Sequence, residues 1–303
     1  MNKRLIFFGN ERLATGVTTQ LPVLQALQTA GYNICAIVTS TNAGSSRKHR
    51  ELEISTFAAT HNIPLLSHIS TDEITALKAD IGILVAYGRL VPTSVIQAFP
   101  HGIINLHPSL LPHHRGPIPL EAVIRDGDNI TGISLMQLAP AMDAGPVFYQ
   151  VTVPLADTIT KQALADHLGL LGAEQLIKTL PSIIDGTLVA QPQDDIQASY
   201  DQRLTKPMSQ INWQQPARHI ERQIRAYAGW PGSITTITGT DVTITGAHIW
   251  LDPNPLLQPA GTFEKIGKQL ICHTTDGILI IDSLKPAGSK DMPASAFLAG
   301  HSL

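Results

Sequence analysis

The sequence predicts an α/β protein in two parts, a mostly parallel sheet interleaved with helices and, after it, a small β-barrel. Three observations predict this. Short apolar runs recur at Leu5 to Phe8, Ile34 to Val38, Ile81 to Ala86 and, interrupted by Asn105 alone, Gly102 to Leu106, as strands covered on both faces require. Stretches with helical spacing lie between them, and strands alternating with helices build right-handed βαβ units. Beyond residue 203 the texture changes to short β-branched runs separated by Gly and Pro, the pattern of a small barrel.

In chain order, the strand Leu5 to Phe8 is closed by Gly9, and a helix follows over Leu21 to Ala30, where Leu21, Leu24 and Leu27 fall on one face. Ser70-Thr71-Asp72-Glu73 opens another helix as a capping box, each of its outer residues satisfying the other's amide. The strand Gly102 to Leu106 runs into a polar motif, a further strand spans Ile133 to Leu138, and a helix covers Thr160 to Ile184 with Leu164, Leu168, Leu171, Leu176 and Ile177 apolar. Gln191 to Asp195 is polar and without periodicity, hence a linker. The expected domains are 1–190 and 208–303, joined by 191–207. In the second, a helix over Ala217 to Ala228 precedes strands at Ile234 to Thr238, Val242 to Ile244, Ile249 to Leu251, Gln269 to His273 and Ile278 to Ile281.

A length of 303 residues exceeds what one core usually organises, which agrees with two domains. Apolar residues at 43% against 15% charged exclude a disordered chain. No apolar run approaches the roughly 20 residues of a membrane span, and Leu5 to Phe8 is too short for a signal peptide, so a cytoplasmic protein is expected; a monomer is the separate expectation for its assembly. Cys35 and Cys272 lack the paired spacing of a zinc site or a disulfide framework and read as buried small hydrophobes. The net charge of -3 is uneven: residues 1 to 202 carry 12 Lys+Arg against 17 Asp+Glu, and the remainder 9 against 7.

The chemistry concentrates in Asn105-Leu106-His107-Pro108-Ser109-Leu110-Leu111-Pro112 and in Met142-Asp143-Ala144-Gly145. Both follow strands, at the carboxyl ends where open α/β sheets place their sites. Side chains alternate along a strand, so Asn105 and His107 face the same volume. Asp143 can accept from His107, hold its tautomer and favour the imidazolium, while Asn105 and that imidazolium stabilise an oxyanion. This is acyl-transfer equipment without a nucleophile of its own. His113 and His114 stand on a Pro-flanked loop without a third ligand nearby, so no metal is expected. Phe8-Gly9-Asn10-Glu11-Arg12-Leu13 lacks the glycines that seat a dinucleotide pyrophosphate, which excludes a dehydrogenase.

Ala86-Tyr87-Gly88, the run Asn105 to Pro112, Arg115-Gly116 with Pro119, and Asp143-Ala144-Gly145 together resemble the formyltransferases that use 10-formyltetrahydrofolate. The resemblance implies a Rossmann-like first domain, catalytic roles for Asn105, His107 and Asp143, and a folate site formed by Tyr87, Gly88, Arg89, Leu90, Val91, Ser109, Leu110, Leu111 and Pro112 with the turn before Asp143. In the second part, Gln191-Pro192-Gln193-Asp194, Leu204-Thr205-Lys206, Ile211-Asn212-Trp213, Ile224-Arg225-Ala226, Trp230-Pro231 and the segment Leu284 to Met292 are similar to the methionyl-tRNA formyltransferases within that group. This implies an OB-like barrel and initiator methionyl-tRNA as acceptor.

The loop Thr41 to Glu53 carries Arg47, Lys48 and Arg50, and the resemblance implies that it meets the tRNA. It departs from the family pattern by having fewer Pro, Gly and basic residues and a shorter length. An amino-sugar nucleotide formyltransferase is the alternative, disfavoured by Leu284-Lys285-Pro286-Ala287-Gly288. Hydrolysis of formyl-folate leaves the second domain without a purpose, and an inactive RNA-binding protein has no use for an intact Asn105, His107 and Asp143.

Overall fold

The structure is a computed structural model that describes residues 3–39, 53–251, 258–301 and 303. Its first thirteen elements in chain order are β1 (Arg4–Gly9), α1 (Pro22–Thr29), β2 (Asn33–Val38), α2 (Glu53–Thr60), β3 (Leu65–Leu66), α3 (Thr71–Leu77), β4 (Ile81–Val85), α4 (Thr93–Gln97), β5 (Ile103–His107), α5 (Pro119–Asp126), β6 (Ile130–Gln137), β7 (Val147–Pro154) and α6 (Lys161–Ile184). There follow α7 (Ala217–Ala226), β8 (Ser233–Ile237), β9 (Thr240–Ile249), β10 (Phe263–Ile266), β11 (Gln269–His273), β12 (Ile278–Pro286), β13 (Met292–Pro293) and α8 (Ala294–Gly300). The chain forms two compact units: residues 1–120, 129–156 and 162–202, and residues 121–128, 157–161 and 203–303.

The first unit holds a seven-stranded sheet in the order β3-β2-β1-β4-β5-β6-β7. Pairing is parallel from β3 through β5, but β6 is antiparallel to β5 and β7 antiparallel to β6. The reversal between β6 and β7 follows from their short connection, residues 138–146, since a parallel crossover needs a dozen residues or more. Leu5, Ile6, Phe7 and Phe8 are all buried, as a strand covered on both faces must be, and Phe8 meets Tyr87 and Phe99 edge-on. The capping box forms as the sequence predicts, with Ser70 Oγ accepting from the Glu73 amide and Glu73 Oε2 from the Ser70 amide.

Helix α1 begins differently. Its N-cap, Leu21, is left-handed and offers no side-chain cap. The Glu11 carboxylate takes that place, accepting from the amides of Val23 and Leu24 at 2.8 Å each. Burial outweighs those two bonds and pushes the Glu11 pKa up to about 7.

The second unit is an antiparallel sheet in the order β10-β11-β12-β9-β8, with β13 paired to β12. One ten-residue strand, β9, contains the run expected at Val242 to Ile244 but only Ile249 of the strand expected at Ile249 to Leu251, and β12 slips register between Ile281 and Leu284. Ile220, Ile237, Leu270, Leu279, Leu284 and Phe297 fill the core; Phe297 comes from α8, a helix the sequence did not predict. Within this unit Asp157 pairs with Arg218 at 2.9 Å and Arg222 at 3.4 Å, and the Arg225 guanidinium donates to the Ile159 carbonyl. Lys161 and Glu121 form a buried ion pair at 3.6 Å.

Cys35 and Cys272 are both free and buried, as expected of small hydrophobes, and burial raises both thiol pKa values. Among the described residues no helix is long and apolar enough to cross a membrane.

Candidate active site

Strand β5 carries Asn105 and His107 two residues apart, both 5% exposed, so the alternation expected of a strand delivers them to one face. Asp143 meets both. Asn105 Nδ2 donates to Asp143 Oδ1 at 3.5 Å, and His107 Nδ1 lies 3.8 Å from the same oxygen, an ion-pair contact rather than a hydrogen bond. The other carboxylate oxygen accepts from the Gly116 amide at 2.8 Å.

The remaining nitrogen of His107, Nε2, lies 2.9 Å from the His114 carbonyl oxygen. A carbonyl only accepts, so Nε2 carries the hydrogen, and Nδ1 is the nitrogen that faces Asp143.

Asp143 does not arrive by the route expected. Because β6 runs antiparallel to β5, its carboxyl end pairs with Ile104 through Gln137, away from the end of β5, and the loop 138–146 folds back to reach Asn105 and His107. That turn is tight. Asp143 is left-handed at φ 49°, and a Cβ on Gly145 would lie 1.8 Å from the Gln137 carbonyl oxygen, so glycine alone fits there.

The loop after His107 is cross-braced. Ser109 Oγ donates to the His113 carbonyl, Ser134 Oγ donates to the Ser109 carbonyl and accepts from the Leu111 amide, and the Gln150 amide donates to the Leu111 carbonyl. Ser109 and Leu111 are therefore buried within the loop, with Leu110 and Pro112 half-buried. Among the other residues expected at the folate, Tyr87 is buried in the core, Val91 is half-buried, and Gly88, Arg89 and Leu90 are exposed. Arg47, Lys48 and Arg50 lie outside the described residues.

Residues 10–180 match the formyl transferase family, and residues 203–302 match the formyl transferase C-terminal domain. The chain belongs to the formyl transferase family. It is 34% identical to a methionyl-tRNA formyltransferase from Methylococcus capsulatus, over 99% of this chain and 97% of the relative. Identity to one from Roseiflexus castenholzii is 32%, over 99% and 96%. An N-formyltransferase from Helicobacter canadensis, crystallised with folinic acid and dTDP-3-aminofucose, superimposes with a TM-score of 0.71 over 96% of this chain and all of its own; at 19% identity this is a likeness of fold.

Residues that the sequence did not assign to the site stand next to it in this formyl transferase. Arg115 is 1% exposed; its guanidinium donates to Gln193 Oε1, to Asp195 Oδ1 and to the Tyr200 hydroxyl. Main-chain bonds join Arg115 to Ser199 and Asp201, and Ser199 to Pro112, while His114 Nδ1 pairs with Asp201 at 2.7 Å. Residues 191–202, expected as the first part of a linker, thus lie within the first unit. They show no periodicity because, apart from the single main-chain pairing of Gln191 with Val147 at the start of β7, their partners are a loop and side chains. The signal available was Gln191-Pro192-Gln193-Asp194, which carried the resemblance without indicating what it touches.

Proposed function

We propose that this formyl transferase moves the formyl group of 10-formyltetrahydrofolate onto the amino group of initiator methionyl-tRNA, acting as a cytoplasmic monomer. The observation that carries the reading is similarity to methionyl-tRNA formyltransferases along 99% of the chain, with the antiparallel second unit included. The convergence of Asn105, His107 and Asp143 supplies the chemistry.

The neutral amine attacks the formyl carbon, a C–N bond forms, and the carbonyl electrons move onto oxygen. Asn105 Nδ2 and the protonated Nδ1 of His107 stabilise that oxyanion. Asp143 offsets the imidazolium charge. As the oxyanion collapses, the bond from carbon to N10 breaks, N10 takes a proton, and the attacking nitrogen gives one up. Tyr87 to Val91 and Ser109 to Pro112 would hold the folate, with Arg47, Lys48 and Arg50 meeting tRNA phosphates. No metal enters this scheme.

The test presents the purified protein with 10-formyltetrahydrofolate and, separately, methionyl-tRNA, free methionine and an amino-sugar nucleotide, with products read by mass spectrometry. Formylation confined to methionyl-tRNA is the expected result. Preferential formylation of the sugar nucleotide would replace this reading with the amino-sugar alternative.

A further inference from the structure

We propose that Gln193 is a positioning residue for Asp143 and that Arg115 acts through it; this rests on the reading of Asp143 as catalytic. The Gln193 side-chain nitrogen donates to two main-chain carbonyls, that of Asp143 at 2.8 Å and that of Gly145 at 2.7 Å. Its oxygen accepts from Arg115 Nε at 3.1 Å and Nη2 at 2.8 Å. A primary amide has two hydrogens to give and two lone pairs to fill, and all four are engaged. The reversed orientation would set oxygen against two carbonyl oxygens and the amino group against guanidinium donors. One orientation therefore satisfies the site.

The two carbonyls flank Ala144, in a turn that bends at a left-handed Asp143 and presses Gly145 onto Gln137. A non-glycine residue holds that conformation only where its surroundings over-determine it, and Gln193 ties the turn on both sides of the bend. The carboxylate at its apex is gripped separately by the amide of Gly116, the residue after Arg115. Arg115 and Gly116 thus fix Asp143 twice, through Gln193 at its main chain and through an amide at its side chain. Arg115 is in turn fixed by the Tyr200 hydroxyl at 2.7 Å, with its guanidinium 5.5 Å from the centre of the Tyr200 ring. The segment 191–201 serves as the frame that sets where the Asp143 carboxylate stands relative to His107 and Asn105.

The experiment compares Gln193→Ala and Gln193→Met, the second keeping the volume while removing both donors, in the full chain with and without Asp143→Asn. In the wild-type background either change lowers kcat about tenfold or more, the scale of a reacting group displaced by a fraction of an ångström, and leaves KM for folate and tRNA within about twofold. In the Asp143→Asn background that loss shrinks to less than about twofold, as for residues acting in series. Equal fold-losses in both backgrounds, or a loss accounted for by the folded fraction alone, would overturn the proposal in favour of a merely structural role. The imidazole 15N resonances of His107 provide a readout independent of the acceptor. They move in Gln193→Met even if the wild-type protein fails to formylate methionyl-tRNA, which would sink the proposed function alone; an unchanged spectrum would sink this proposal.

Discussion

In the proposed mechanism His107 has one ring nitrogen committed to the His114 carbonyl, which leaves Nδ1 as its working atom. His107→Ala and Asn105→Ala are each expected to lower turnover by about 10²-fold or more with the fold intact, the loss associated with one acid-base group or one oxyanion donor. Steady-state kinetics beside circular dichroism will check this, and turnover near wild type removes the residue from the mechanism. Glu11 makes a different prediction. Its folded pKa of about 7 stands above the ordinary 4.5, so its contribution to stability is fully present below pH 4.5 and is lost as the pH rises through 7. The change is on the order of 3 kcal/mol. Denaturant melts at pH 4.5, 6 and 8 should show this decline in the wild type and its absence in Glu11→Gln; parallel curves would mean that Glu11 is solvated.

The element on which the site depends is the loop 108–116. Gly116 has φ 122°, and a Cβ there would lie 2.4 Å from the Asp201 carbonyl oxygen. Gly116→Ala should therefore cost about 1–3 kcal/mol and reduce turnover as the amide on Asp143 moves. A urea midpoint equal to that of the wild type would show the loop free of residue 201.

Legibility in the sequence follows the same elements. Strands β1, β2 and β4 were readable because burial on both faces leaves an apolar run, and β5 because only the buried Asn105 interrupts the run from Ile103 to Leu106. Strand β7 was not, since only Val153 is fully buried along it. The Asn105, His107 and Asp143 cluster was legible as motifs, but the bracing from Gln193 joins residues 50 and 78 positions apart, and no local pattern encodes such a meeting.

At the scale of the molecule, the second unit claims two stretches from within the first 190 residues, 121–128 and 157–161. A chain ended at Gln202 would deprive Asp157 of Arg218 and Arg222, and the Ile159 carbonyl of Arg225. Such a truncation should melt below the full chain and lose formylation of methionyl-tRNA. Thermal melts and the formylation assay check this, and equal melting with full activity would refute it. Neutralising Arg47, Lys48 and Arg50 together should reduce the salt dependence of tRNA binding by about 0.7 to 0.9 units of log-log slope per lost contact, measured by titration in increasing KCl; an unchanged slope assigns recognition elsewhere.

On the role proposed for Gln193, its bond to Asp143 also bears on when this protein can begin to work. Synthesis proceeds from the amino terminus, and domains fold as they emerge. All seven strands of the first sheet are complete by Pro154, so a nascent chain can assemble that sheet while Asp143 still lacks its brace. Gln193 and Tyr200 must follow before the turn is held, and residues 121–128 and 157–161 must wait longer for the strands of the second unit. A nascent chain that has emerged from the ribosome only to a point between residues 154 and 193 would hold every strand of that sheet without the brace proposed for Asp143, so on that proposal activity waits until well after the motifs around Asn105 and Asp143 have been made.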